Sequence, residues 1–192
     1  FRIRALVEFG DVEAGELGGY VEKESNLGHD DNAWVYDNAW VYGNARVYGD
    51  AQVSGDARVY DNAWVYGDAL VYGNARVYGN ARVYGNAWVY GNAWVYGNAW
   101  VYGNALVCSD EDYAYAHGFG SVNRTTTFFR LKDGGVGVRC GCFYGTLAQF
   151  RDKIRETHGE TKKAQEYLML ADLMELRFEE DENEVGNRKY VE

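Results

Sequence analysis

From Asp31 to Cys108 small, large and turn-forming positions recur every six residues. The chain reads DNAWVY, DNAWVY, GNARVY, GDAQVS, GDARVY, DNAWVY, GDALVY, GNARVY, GNARVY, GNAWVY, GNAWVY, GNAWVY, GNALVC, thirteen units without an insertion. A short fixed period is the mark of a solenoid. Within a unit Ala-x-Val-Tyr alternates, so Ala and Val share one face and x and Tyr the other. The x position holds Trp, Arg, Gln or Leu, and four buried, unpaired arginines are energetically excluded. Ala and Val therefore point inward. Gly or Asp followed by Asn or Asp is corner chemistry, because these residues tolerate or favour left-handed backbone. A corner every six residues predicts three strands per coil, and coils stacked about 4.8 Å apart give a rod roughly 20 Å long.

Eighteen residues per coil stacks the outward positions into columns. One face carries Trp34, Gln52, Leu70, Trp88 and Leu106 beside Tyr36, Ser54, Tyr72, Tyr90 and Cys108. A second carries Trp40, Arg58, Arg76 and Trp94 beside Tyr42, Tyr60, Tyr78 and Tyr96. The third alternates Arg46, Trp64, Arg82 and Trp100 beside Tyr48, Tyr66, Tyr84 and Tyr102. All six tryptophans should thus face outward. Such columns stabilise neighbouring coils, and alternating Arg and Trp can stack by cation–π contact. They also offer aromatic surface to a partner. The first face has no arginine and two leucines. It is expected to be covered by another subunit or by the C-terminal domain, with Trp34, Leu70, Tyr72, Trp88, Tyr90 and Leu106 as candidate contacts.

After Cys108 the pattern changes. Residues 109–123 read as a polar link and Arg124–Leu131 as a strand. Lys132-Asp133-Gly134-Gly135 reads as a turn, with Val136–Cys142 returning. Thr146 and Gln149 have capping-box spacing for a helix ending near His158-Gly159. A second helix, about Thr161 to Phe178, has Ala164, Tyr167, Leu168, Ala171 and Phe178 on one side. Leu170, Leu173 and Leu176 widen its apolar surface, which predicts burial on more than one side, against the rod or a partner. The acidic run Glu179–Glu184 and the residues after it read as a solvated tail.

Composition adjusts this picture little. The net charge of −10 comes from three basic against seven acidic residues in 1–30, four against six in 31–108, and twelve against sixteen in 109–192. The rod is nearly neutral, which argues against nucleic acid as a partner, since that needs a basic face. No stretch approaches the roughly 18–20 apolar residues of a membrane span. The opening Phe1–Leu6 alternates as a strand and lacks the apolar core of a signal peptide. Three cysteines make no disulfide framework, so the expected compartment is a reducing cytoplasm.

The repeat resembles the hexapeptide-repeat superfamily of left-handed parallel β-helices, many of them trimeric acyltransferases. The opening Arg4-Ala5-Leu6, the stretch Asp11–Tyr20 (DVEAGELGGY) and Glu24-Ser25-Asn26-Leu27 ahead of the hexads look closest to bacterial and prophage transferase-like proteins of that group. The resemblance covers about residues 3–108 and implies the left hand. The expected fold is mainly β. It comprises an N-terminal strand and cap (1–30), a single-stranded left-handed parallel β-helix (31–108) and a link (109–123). A small α+β domain of one β-hairpin and two helices (124–178) and an acidic tail (179–192) complete it.

Enzymes of that superfamily use a histidine near a loop that interrupts the coils. Here His29, His117 and His158 all lie outside the repeat, which has no interrupting loop. A zinc site from Cys108, Cys140, Cys142 and either His117 or His158 has the right donor types, but its spacing matches no zinc knuckle. Alternation should put Cys140 and Cys142 on one strand face, as a small apolar core also would. No Gly-rich phosphate loop precedes a helix, and no cofactor is expected. The leading expectation is a non-catalytic binding or assembly protein, working through a protein partner or self-association as a dimer or trimer. One version is a phage-encoded protein that blocks a host defence factor. The alternatives are a hexapeptide acyltransferase and a rod whose aromatic columns bind glycan or nucleotide.

Overall fold

The computed structural model describes residues 1–121 and 124–179. Strand β1 (Arg2–Arg4) pairs antiparallel with β2 (Leu17–Val21). Thirteen short strands come next, one per hexad, from β3 (Trp34–Val35) to β15 (Leu106–Val107). They stack into three parallel sheets, and β2 joins the sheet that begins at Trp40–Val41. The largest parallel stack is five strands deep. Pairing keeps the eighteen-residue offset throughout, as in Trp34 with Gln52, Arg76 with Trp94 and Arg46 with Trp64.

Burial settles the facing. Every hexad Ala and Val is at most 3% exposed, so each coil closes around small apolar side chains. The columns outside keep the predicted order. At the corners glycine supplies left-handed backbone. Gly49 has φ +71°, and a Cβ there would stand 2.9 Å from the Gly67 nitrogen of the next coil. Asp37 and Asp61 hold the same conformation with φ of 52° and 59°. Their carboxylates accept the Gly55 and Gly79 N–H groups one coil on. Asparagine side chains run up one corner from Asn44 through Asn62 and Asn80 to Asn98.

A stack of parallel strands leaves open edges, which invite further pairing. At the start Asn26 is fully buried and donates to the Gly43 and Ala45 carbonyls while accepting the Lys23 N–H. At the far end a four-stranded antiparallel sheet closes the rod. It comprises β16 (Tyr113–Phe119), β17 (Arg124–Arg130), β18 (Val136–Cys140) and β19 (Phe143–Thr146), in that order. Each rod edge meets a different partner. The Trp94 N–H donates to Asp110 Oδ1 at 2.7 Å, the Trp100 N–H to Thr127 Oγ1 at 3.0 Å, and Ala105 bridges to Leu131. Tyr113 and Phe129 extend the rod core into the sheet.

Helices α1 (Leu147–His158) and α2 (Lys162–Phe178) cover the sheet's other side around Phe128, Val138, Phe150 and Tyr167. Both halves of the expected capping box form at Thr146 and Gln149.

Three expectations need correction. The polar link contains β16, because Tyr-Ala-Tyr-Ala is itself an alternating strand pattern, so the small domain holds a four-stranded sheet and not one hairpin. The return strand stops at Cys140, since Gly141 turns with φ +58°. Helix α2 buries Ala164, Tyr167, Ala171, Met174 and Phe178, leaving Leu173 and Leu176 exposed where burial on a second side was expected. The acidic tail from residue 180 lies outside the described residues. Among the described residues no helix is long and apolar enough to cross a membrane.

Candidate interaction surfaces

The second face carries the most open aromatic surface. Trp40 is 50% exposed, Trp94 41% and Tyr96 40%. Tyr42, Tyr60, Tyr78 and Tyr96 stack in sequence with ring centres 4.9–5.3 Å apart. The Arg76 guanidinium lies 4.8 Å from the Trp94 ring centre, and Arg58 is exposed beside it. Near the first coil a cleft of about 540 Å³ is lined by Phe1, Val21, Glu22, Trp40, Tyr42 and Arg58.

The third face is tied together and, beyond exposed Arg46, half-buried. Arg82 sits between Trp64 and Trp100, 4.9 Å from each ring centre, while Arg46 lies 5.9 Å from Trp64. Arg139 of β18 continues the column, 5.5 Å from Trp100 and from Tyr102. The alternation of cation and ring was legible in the hexads. Its last member, Arg139, was not, because it belongs to another sheet.

The first face is partly covered. Trp34 is 4% exposed, packing edge-on against Phe9 and lying close to Gly18 of β2. Trp34 thus keeps its place outside the coil but is covered, and the other five tryptophans keep some exposure. Leu70, Tyr72, Tyr90 and Leu106 are half-buried. Trp88 keeps 36% exposure, with the Lys132 ammonium 3.9 Å from its ring centre. Burial lowers the Lys132 pKa from its ordinary value.

The cysteines and histidines do not converge. Cys108 Sγ donates to Asp112, and Cys140 Sγ accepts from Thr126 beneath the helices. Cys142 is exposed in the turn after Gly141, and His117 is exposed beside Thr125 on the outer strand. His158 stacks on Tyr167 at the end of α1. Among the described residues no three His, Cys, Asp or Glu groups come together as a metal site requires.

Several buried and half-buried tyrosines are hard to ionise. Burial, reinforced by nearby Cys108, pushes the Tyr90 hydroxyl up to about 12, and burial also raises Tyr72, Tyr84 and Tyr113. In the unfolded chain the group returns to about 10 and releases its proton first. This contribution to stability is therefore complete below about pH 10 and disappears as pH climbs to about 12. Stability should stay level up to about pH 10 and then decline, with tyrosinate absorbance rising together with loss of the circular dichroism signal. Full tyrosine ionisation near pH 10 with the fold intact would refute this.

Coils, columns and caps together define a parallel β-solenoid with an α+β cap. In comparison with known proteins, the family model described as YdcK beta solenoid repeat matches residues 39–55, 51–67, 75–91 and 88–103. All four stretches lie within the coils, so the rod is similar to that repeat. No curated protein matches the chain.

Proposed function

We propose that this protein is a rigid scaffold acting through protein–protein contact, with the second face as its docking surface. The supporting observation is the exposure of Trp40, Trp94 and Tyr96 on the two adjacent columns of one straight, fixed face. Aromatic side chains held rigid lose little entropy on binding and dominate interface energetics. Membership of the hexapeptide superfamily, with its left-handed winding, belongs to this reading and is supported by the unbroken six-residue period. So does the phage-encoded version, in which the partner is a host defence factor.

The test uses the intact chain and a Trp40→Ala/Trp94→Ala/Tyr96→Ala variant as baits in host lysate. A partner retained by the first should be lost by the second while circular dichroism stays unchanged. Identical captures would sink the reading.

The cleft around Trp40 favours a second reading, in which the aromatic column binds a glycan or nucleotide ring. Tryptophan emission shifting on titration with such ligands, and not with Trp40→Ala, supports it. An unchanged spectrum rules it out.

A further inference from the structure

Helix α2 buries Ala164, Tyr167, Ala171, Met174 and Phe178. At about 100° per residue, Met169, Leu173 and Leu176 fall on the opposite side, where they are 71%, 54% and 68% exposed. Three large apolar side chains in line on a helix surface, backed by a packed domain, make an exposed apolar stripe of the kind that marks a partner face. Lys162 lies on the same line at the N-terminal end. Glu166 and Arg177 flank it on one side, held by the Gly120 N–H and the Asp110 carbonyl respectively.

We propose that this stripe pairs antiparallel with the same stripe of a second copy of this chain. The charges select that occupant. Setting Met169 against Leu173 of the second copy brings Glu166 against Arg177 and Lys162 level with the C-cap Glu179, which reaches in from the flank of the stripe, each to within one residue of the same register. Parallel pairing would instead set each of these charges against its like. A patch that complements itself in this way is the requirement of a two-fold interface. One helix per copy is a small contact, so the dimer is weak, with dissociation in the micromolar range. The proposal is independent of the docking face on the rod.

Sedimentation of the full chain from about 1 to 500 µM should show the mass moving from one chain towards two. Leu173→Glu should hold it at one with the circular dichroism and thermal midpoint unchanged. Met169→Glu serves the same purpose should Leu173→Glu unfold. Lys162→Glu should weaken association about threefold to tenfold, since two copies of the contact are lost. Adding Glu179→Lys should restore it. The proposal is overturned by a single-chain mass at every concentration, by a dimer indifferent to both stripe variants, or by a double variant no better than Lys162→Glu. It is equally overturned if only a chain cut after Glu179 dimerises, which would show that the tail covers the stripe.

Discussion

Val77→Asp is expected to unfold the rod under conditions where the parent is stable, at a cost above about 4 kcal/mol. Val77 is fully buried and pairs with Val59 and Val95 in the coils on either side. A carboxylate there would face the buried Ala and Val side chains of its neighbours, none of which can hydrogen-bond to it. One residue earlier, Arg76→Gln should cost only about 1 kcal/mol, because that side chain lies outside over Trp94 and loses a cation–π contact alone. Urea unfolding monitored by circular dichroism measures both. Equal losses would mean that the inward and outward faces have been assigned wrongly.

The second large effect is expected at Asp112, which is 1% exposed. Its Oδ2 accepts the Cys108 and Ser109 N–H groups, each at 3.0 Å, and its Oδ1 meets Arg130 Nε at 3.2 Å. Arg130 in turn lies over the Phe178 ring. One carboxylate thus ties the last coil to β17 and α2. Asp112→Ala removes a counter-charge from a buried guanidinium and an acceptor from two N–H groups, which costs about 3–5 kcal/mol. The C-terminal domain should then melt below the rod, giving two calorimetric transitions. Retention of a single transition at the parent temperature would show that the ion pair does not join the two parts.

The rod was legible in the hexads because the same spatial choice is made thirteen times. Ala and Val can only be interior when the position between them is Arg or Trp, and the eighteen-residue offset comes from three corners per coil. The caps make each choice once. Phe9 belongs to no period that would announce its place against Trp34, and Thr127 reaches the Trp100 N–H from a strand that begins at residue 124. Cys140 and Cys142 read as one strand face until Gly141 turns the chain between them. In α2 the sequence offers two apolar stripes, and Ala171 against Leu173 does not say which is inside. Packing decides that, because small Ala164 and Ala171 let the helix approach α1 and the sheet closely.

Three edges closed by three different chemistries also set how such a chain can change length. Gain or loss of a single hexad would turn the terminal sheet by one face, bringing Thr127 to the Trp94 or Leu106 strand in place of Trp100. Three hexads together restore the phase. Growth of this architecture is therefore quantised in whole turns, and the unbroken run of thirteen units is a thread cut to fit its nut.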